Sequence, residues 1–380
     1  GQGQLIGPAD VVEHPQEGLL LGERGEGFRQ IAEEALACRL HRERRDGLEG
    51  VVSRDVGEQG LVEREGIRYF STSAGALRGR SPLQAVASLA QIVRGVRQGM
   101  AIIRAWKPDV VFSTGGYVTA PLMLAAWMLR APAMIYLPDM EPGLAVRLLA
   151  CLAQRVCVSF DSVAGHLPQG KVRVTGYPVR KALLAADRGQ ARARLSLDGN
   201  RPVLLVLGGS TGAHSINEAV SAHLEELLAL AQIVHVSGPA DAEGLSARGQ
   251  ALDPVRRADY RIYAYMHEEM ADALVAADLV VARAGASTLA EFPAVGLPAI
   301  LVPYPYAGQH QQANAEYLAV RGGAEVLADR ELAARLPQLV RELLSQGDRL
   351  RAMSEAMRAI AVPEAASRLA QCVFEIAGKG

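Results

Sequence analysis

The chain has 380 residues, of which 49% are hydrophobic and 21% are charged, and its formal net charge is −1. This composition excludes a disordered chain. The near-zero charge argues against nucleic acid as the main partner, because phosphate binding usually needs a basic excess. The length predicts two domains of ordinary size. The four cysteines form no CxxC pair and indicate free, buried thiols in a reducing compartment.

The predicted elements alternate apolar strands, small-residue turns and helices in chain order. Strands are predicted at 18–21, 50–53, 109–113, 133–137, 155–159, 171–175, 202–207, 232–236, 260–264, 278–282, 298–302 and 325–327. Helices are predicted at 28–40, 82–106, 215–230, 287–294 and 363–377. Several strands are continuous Val, Ile and Leu runs, typical of a parallel sheet buried on both faces. The sequence therefore predicts an α/β doubly wound fold that occurs twice, with a hinge near 177–179.

One stretch, 110–129, is uncharged and long enough to cross a bilayer. It contains Gly115, Gly116 and Pro121, however, which fit poorly in a single spanning helix. A strand, a glycine turn and a buried helix explain this stretch better.

The strongest local signal is the GGSTGA turn at 208–213, which follows an apolar strand and precedes a helix. Glycines let the backbone approach a phosphate closely, and a helix N-terminus offers free N–H groups. The alternative is a tight strand-to-helix turn with no ligand.

A second turn, RAGA at 283–286, opens a helix that carries Thr288 and Glu291. A hydroxyl at the helix start can bind phosphate, and a carboxylate one turn later can accept both ribose hydroxyls. On spacing alone, a capping box formed by the same two residues is an equal alternative. A third signal is the polar run 309–314, QHQQAN, which suits a ligand with many hydroxyls or is an ordinary polar helix start.

Eight motifs in family order resemble the MurG family of glycosyltransferases: GVVSRD, GLVEREGI, LRGRS, KPDVVFSTGGYVTAP, GYPVR, GGSTGA..SIN, ADLVVARAGASTLAE and GQHQQANA. The resemblance covers 50–377. It implies transfer of N-acetylglucosamine (GlcNAc) from UDP-GlcNAc to the lipid-linked acceptor lipid I, giving lipid II for peptidoglycan. It also implies the GT-B fold: two Rossmann-like α/β domains with parallel sheets, and a C-terminal helix that crosses back to the first domain. We expect an acceptor and membrane-facing domain at 1–178 plus the helix 363–380, and a donor domain at 179–362.

The resemblance also implies roles for individual residues. The donor-binding residues it implies are Arg180, Gly209, Ser210, Met266, Thr288, Glu291, His310 and Gln311. Those on the acceptor side are Gly115, Gly116, Tyr117 and Asp139. No DxD-like metal site stands beside the turns, so we expect no metal and no cofactor.

The first 49 residues depart from the family. Its opening GGGTGGH loop reads LLLGERGEGF at 19–28, and no histidine lies between His14 and His41. The general base is therefore unassigned, with Asp139 and His14 as candidates. Two further motifs differ: HEQN reads LPDM with Asp139 at the Asn position, and GNPVR has Tyr177 in place of Asn.

No acidic residue lies between Glu65 and Asp109, whereas seven basic residues do, interleaved with apolar ones. This basic face, 68–107, predicts peripheral binding to an anionic membrane at the cytoplasmic side. The alternative is a buried helix with a solvated arginine edge.

Three other functions compete with the transferase. A pseudo-enzyme would bind the donor without transferring it, and a UDP-sugar 2-epimerase shares the architecture but needs acid and base carboxylates near 310–314, where none is found. A dehydrogenase is disfavoured because no GxGxxG follows a strand with an acidic residue about 20 positions later.

Overall fold

The computed structural model describes residues 51–53, 69–71, 82–115, 119–140, 142–209, 213–267, 269–305 and 310–378. Only the backbone is described at 51–53, 69–71, 82–87, 89 and 310. The predicted strand at 18–21 and the predicted helix at 28–40 lie outside these residues.

The described strands form three parallel sheets. They are β1 (Val51–Ser53), β2 (Tyr69–Ser71), β3 (Val111–Ser113), β4 (Ala133–Leu137), β5 (Arg155–Val158), β6 (Val172–Val174), β7 (Val203–Leu207), β8 (Gln232–Val236), β9 (Tyr260–Tyr263), β10 (Leu279–Ala282), β11 (Ala299–Leu301) and β12 (Ala324–Val326).

Helices follow most strands. They are α1 (Pro82–Trp106), α2 (Ala120–Leu129), α3 (Leu144–Leu152), α4 (Lys181–Ala185), α5 (Arg188–Arg194), α6 (His214–Ala222), α7 (Leu224–Leu230), α8 (Ala242–Gln250), α9 (Pro254–Ala258), α10 (Glu269–Ala276), α11 (Thr288–Val295), α12 (His310–Val320), α13 (Leu332–Ser345), α14 (Gly347–Ala359) and α15 (Ala365–Ile376).

Two of the sheets form the centres of the two halves of the chain. The first has the order β3-β4-β5-β6, and β1 pairs with β2 in a separate two-stranded sheet. The second has the order β12-β11-β10-β7-β8-β9. Every residue of β4 and of β8 is buried, because helices cover both faces of each sheet. The predicted fold, two Rossmann-like domains with parallel sheets, is confirmed.

Most predicted elements are found within two residues of their predicted ends. The helix expected at 215–230 is instead two helices, α6 and α7, which meet at His223. Strand β2 was not predicted. Between 110 and 129 the structure has β3 and the largely buried α2, as the sequence analysis favoured; most of the glycine turn expected between them lies outside the described residues. Within the part of the chain that the structure describes, no helix has the length and apolar character needed to cross a membrane.

The last helix, α15, packs against β4 and β5 of the first sheet. Its apolar residues join a buried cluster with Met134, Tyr136 and Cys157. The predicted return of the C-terminal helix to the first domain is therefore confirmed. Cys157 lies on β5 and Cys372 on α15. A hydrogen bond between the two thiols raises the pKa of Cys157, and burial raises it further. The expectation of buried thiols holds for these two but is wrong for Cys151, which is exposed; Cys38 lies outside the described residues.

A buried polar chain connects the second sheet to α6. His235 on β8 is fully buried, with Nε2 2.9 Å from Asn217 Oδ1 and Nδ1 2.9 Å from the Tyr260 hydroxyl. Since Asn217 Oδ1 can only accept, His235 donates from Nε2; in the neutral ring, which burial favours, Nδ1 then accepts from the Tyr260 hydroxyl. Burial lowers the pKa of His235 from 6.5 to about 4.

This burial predicts acid sensitivity of the fold. The unfolded chain takes up a proton at His235 near pH 6.5, whereas the folded chain does so only near pH 4. The stabilisation is therefore complete above pH 6.5 and is lost as the pH falls towards 4, by roughly 3 kcal/mol. We expect His235→Gln to flatten the pH dependence of the free energy of urea unfolding by this amount. Equal slopes in the variant and the wild type would show that His235 is not the acid-sensitive group.

Candidate functional site

The two small-residue turns singled out in the sequence lie side by side. Strand β7 is followed by Gly208 and Gly209, and β10 is followed by 283–285. The strands are parallel neighbours, with Leu207 opposite Ala282 at their carboxyl ends, so both turns begin at the same level of the sheet. The strand order reverses direction between β7 and β10. In open parallel sheets, ligands bind outside the carboxyl ends at such a switch point.

Gly209 has the backbone conformation that glycine permits and most residues do not. Its φ is +81°, and a Cβ placed on it would meet no atom of the described residues within 4 Å. The backbone at Gly209 therefore faces open space beside β7, as a turn that receives a ligand must. Ser210, the neighbouring predicted donor residue, lies outside the described residues.

Helix α11 starts the second side of the site. Thr288 is buried, and its hydroxyl donates to the carbonyl of Gly285 at 2.6 Å. Ser287, at the N-cap position, makes no side-chain capping hydrogen bond. The capping alternative for Thr288 is therefore wrong: its hydroxyl fixes the turn after β10.

Glu291, one turn into α11, is buried and pairs with Arg180. The Nη2 of Arg180 donates to Oε1 of Glu291 at 3.1 Å, and both side chains are almost fully buried. The resemblance implied only that Arg180 lies at the domain junction near the donor; the structure places its guanidinium beside Glu291. The pair joins residues 111 positions apart in the chain.

Arg180 follows a segment that crosses from the first sheet to the second half of the chain. Gly176 has φ +86°, and a Cβ there would lie 2.8 Å from Val362 Cγ1 on the returning segment. The outgoing and returning segments thus contact each other where only a glycine fits. Four residues after this close crossing, Arg180 contacts Glu291 on α11.

Met266 follows β9 and is buried. Its neighbours Tyr265 and His267 are exposed, and their rings meet edge to face with centroids 4.6 Å apart. Because β9 is two strands from β7 in the sheet, Met266 lies about 10 Å along the same carboxyl edge.

Helix α12 adds polar side chains on the far side of the switch point. Gln311 accepts, through Oε1, a hydrogen bond of 2.9 Å from the backbone N–H of Tyr304. His310 begins the helix, and its side chain is not described.

Asn314, one turn after His310, was not among the predicted donor residues. It is only 3% exposed and donates through Nδ2 to the carbonyl of Ala284, in the turn after β10. Its Oδ1 has no hydrogen-bond partner in the described part of the chain. The helical spacing of four residues from His310 is the signal that could have identified it.

Two of the four residues predicted on the acceptor side are described, and both follow strands of the first sheet at its carboxyl edge. Gly115 follows β3 with φ +89°, and its N–H donates to Ser113 Oγ at 3.0 Å. Asp139 follows β4, the parallel neighbour of β3, and is half-buried. These two strands therefore bring Gly115 and Asp139 to one edge. Gly116, Tyr117 and His14 lie outside the described residues.

Two domain families match the chain. The glycosyltransferase family 28 N-terminal domain matches residues 35–158, and the glycosyltransferase family 28 C-terminal domain matches residues 203–369. The second match contains both turns of the switch point.

Named relatives cover most of the chain. A UDP-N-acetylglucosamine--N-acetylmuramyl-(pentapeptide) pyrophosphoryl-undecaprenol N-acetylglucosamine transferase of Roseiflexus sp. (strain RS-1) is 42% identical over 352 residues, covering 82% of this chain and 80% of the relative. The protein of the same name from Moorella thermoacetica (strain ATCC 39073 / JCM 9320) is 37% identical over 330 residues, covering 85% and 89%.

Solved structures show the same architecture. Acinetobacter baumannii MurG matches with a TM-score of 0.67 and 25% identity over 92% of this chain and 96% of that one. A UDP-GlcNAc 2-epimerase from Neisseria meningitidis, bound to UDP-GlcNAc, matches with a TM-score of 0.63 at 13% identity, covering 92% and 97%, which is a likeness of fold alone. With the domain matches and the relatives above, these findings show that the chain belongs to the MurG family, within glycosyltransferase family 28.

Proposed function

We propose that the protein transfers GlcNAc from UDP-GlcNAc to the 4-hydroxyl of MurNAc in lipid I, giving lipid II. The relatives at 34–42% identity carry the name of this transferase. The observation that supports the donor half of the reaction is the pairing of the β7 and β10 turns at the switch point. A nucleotide diphosphate placed there would meet the N-termini of α6 and α11, whose dipoles favour negative charge.

The two halves of the chain divide the substrates between them in this proposal. Residues 179–362 bind the donor: the turns and Thr288 contact the diphosphate, Glu291 the ribose and Met266 the base through its backbone. The α12 side chains His310, Gln311 and Asn314 contact the GlcNAc hydroxyls. Residues 1–178 and the helix 363–380 bind the acceptor, with Gly115, Gly116, Tyr117 and Asp139 facing it. Support for this division comes from the two carboxyl edges described above.

The proposed mechanism is a direct displacement with inversion at the anomeric carbon. The MurNAc hydroxyl attacks as the bond to UDP breaks, and negative charge grows on the leaving diphosphate. Fixed backbone N–H groups aimed at that charge stabilise the transition state without reorganising. Proton removal from the attacking hydroxyl needs a general base, for which Asp139 and His14 are the candidates. We propose that the reaction needs no metal.

The Arg180–Glu291 pair would position the carboxylate for the ribose. A carboxylate that accepts two hydroxyls of a diol must keep one orientation, and a buried guanidinium at 3.1 Å fixes it. Because Arg180 enters from the segment between the two sheets, this contact also links the donor site to the domain junction.

Two alternative functions, the epimerase and the pseudo-enzyme, can be distinguished from the transferase. The likeness to 2-epimerases is one of fold alone, and the relatives that support the transferase are far more similar, so the epimerase is not favoured. A pseudo-enzyme would bind UDP-GlcNAc without releasing UDP when an acceptor is present.

An assay of UDP release from UDP-GlcNAc and a lipid I analogue tests the proposed function. We expect release by the wild type, and none when the analogue is omitted. Binding without release identifies the pseudo-enzyme, and conversion of the free donor to its epimer identifies the epimerase.

For Glu291→Gln, which keeps the size of the side chain but loses an acceptor oxygen, we expect donor binding about tenfold weaker. The control is Glu325→Gln, in the same half of the chain, where Glu325 pairs with Arg349; equal affinities in both variants would contradict the ribose assignment.

A glycine pair tests the place of the diphosphate. Gly209 and Gly170 have φ +81° and +86°, and within the part of the chain that the structure describes a Cβ on either meets no atom within 4 Å. Alanine at either position should therefore cost a similar strain of about 1–2 kcal/mol in the free energy of unfolding. Only Gly209→Ala should also weaken UDP binding, because its Cβ would occupy the space of the ligand. Isothermal titration with UDP measures this, and equal affinities of the two variants would contradict the diphosphate position.

We further propose that the first half binds an anionic membrane surface peripherally, on the cytoplasmic side. In the described part of α1, the basic residues Arg94, Arg97 and Arg104 are exposed, while Ile103 is buried. The apolar residues of α1 are thus partly used for packing. Larger exposed apolar side chains lie on the neighbouring helices, Trp127 and Met128 on α2 and Leu144 and Leu148 on α3, each more than half exposed.

Helix α2 packs against both α1 and α3, so these apolar and basic groups lie on adjacent helices. Leu144 and Leu148 are four residues apart and share one face of α3. Apolar side chains that enter the acyl boundary and arginines that attract anionic headgroups are the two elements of interfacial binding.

Co-sedimentation with vesicles containing phosphatidylglycerol checks this proposal. We expect the double variant Leu144→Ser/Leu148→Ser to bind at least about fivefold more weakly than the wild type, since each leucine contributes up to 1.5–3 kcal/mol when fully buried. The matched control is Val255→Ser, an equally exposed apolar residue on α9. Binding that shows no preference for anionic lipid, or no loss in the double variant, would contradict it.

A further inference from the structure

Three side chains from separate elements form a closed hydrogen-bonded ring beneath the switch point. We infer that Ser215, Arg283 and Asp329 are positioning residues that hold the start of α6 at a fixed separation from the turn after β10. This inference rests on the proposed function, because the elements that these residues hold in place flank the proposed binding site of the donor diphosphate. The three residues would not themselves contact the donor.

Three short hydrogen bonds connect the three side chains to one another. Arg283 donates from Nη1 to Asp329 Oδ1 at 2.5 Å and from Nη2 to Ser215 Oγ at 2.7 Å. Ser215 in turn donates from its hydroxyl to Asp329 Oδ1 at 2.8 Å. The single hydroxyl proton of Ser215 is therefore committed to the carboxylate, and its lone pair to the guanidinium. This arrangement leaves the Ser215 side chain with one orientation.

Each member comes from a different part of the site. Ser215 is the second residue of α6, directly after the 208–213 turn, and Arg283 is the first residue after β10. Asp329 follows β12. Arg283 also donates to the carbonyl of Val302, after β11, and its guanidinium lies 5.3 Å from the ring centroid of Tyr304. One planar guanidinium thus joins the ends of β10 and β11 to the start of α6.

Burial makes the arrangement stiff. The side chain of Arg283 is 10% exposed and that of Asp329 is 20% exposed. Charge-assisted hydrogen bonds out of water are about twice as strong as neutral ones and hold a narrow geometry. The charge of Arg283 is compensated by Asp329, so Arg283 acts through geometry and not as a free cation for the diphosphate.

A second carboxylate holds the opposite side of α6. Asp241 accepts from Asn217 Nδ2 at 2.7 Å and lies 2.9 Å from His214 Nδ1. Burial opposes ionisation, but the hydrogen bonds from Asn217 and His214 outweigh it and lower the pKa of Asp241. The first turn of α6 is therefore anchored from two sides. Among the side-chain contacts of the described residues, the Arg283 side connects it to the turn after β10, which is why Ser215 is the informative position.

The test separates positioning from simple stability with two ligands. Ser215→Ala removes the link to α6 but leaves the Arg283–Asp329 pair, and alanine is favourable in a helix. We expect UDP to bind about tenfold more weakly, or 1.4 kcal/mol, whereas the affinity for uridine is unchanged because base and ribose contacts remain. Ser215→Thr keeps the hydroxyl and should restore UDP affinity. Ser354→Ala is the control, because the Ser354 hydroxyl bonds to Gly296 at the far end of α11.

The outcomes are distinguishable by titration of each variant with uridine and UDP, together with the unfolding temperature. Wild-type protein that binds UDP while Ser215→Ala binds it equally tightly overturns this inference alone. Equal weakening of uridine and UDP, or failure of Ser215→Thr to restore affinity, also overturns it, since both indicate a general structural effect. A wild type that binds neither ligand overturns the proposed function and this inference with it.

Discussion

The reversal of strand order between β7 and β10 is the constraint on which the rest of the site depends. Parallel strands present all their carboxyl ends at one edge, and helices that leave in opposite directions open a crevice there. Here the reversal separates α6 from α11 and leaves the backbone at Gly209 facing open space. In the proposed site, the N-terminal dipoles of α6 and α11 would favour the diphosphate, so no unpaired charged side chain would be needed there.

Several charged side chains around this crevice form ion pairs or hydrogen bonds with other groups of the protein. Arg283 pairs with Asp329, Arg180 with Glu291, and Asp241 with Asn217 and His214. Each pair connects an element of the crevice to a neighbouring element, so the crevice is held from several sides. Arg180 lies four residues after Gly176, where the outgoing and returning chain segments touch. A change in the angle between the two sheets would therefore alter the contact between Arg180 and Glu291.

The sequence predicted the strands well because their Val, Ile and Leu runs leave few alternatives for a buried parallel sheet. It also predicted both turns, since glycine after an apolar strand has a direct backbone consequence. The ring of Ser215, Arg283 and Asp329 was not predictable, because its members are separated by 46 and 68 positions and meet only through sheet order. Asn314 belongs to the polar run 309–314 that the sequence singled out, but its burial and its bond to Ala284 were not predictable, because they depend on α12 packing beside the turn after β10. The sequence has no strong helix breaker at His223, where α6 meets α7, so this break was not predicted. Strand β2 was not predicted because it is too short to show a periodic pattern.

The central claim is that a UDP-sugar binds between the β7 and β10 turns. A crystal structure with UDP-GlcNAc tests it most directly. The account predicts the diphosphate between Gly209 and Gly285, the ribose within hydrogen-bonding distance of Glu291, and the sugar beside Gln311 and Asn314. A nucleotide bound elsewhere, or bound at this edge with its ribose away from Glu291, would contradict the account.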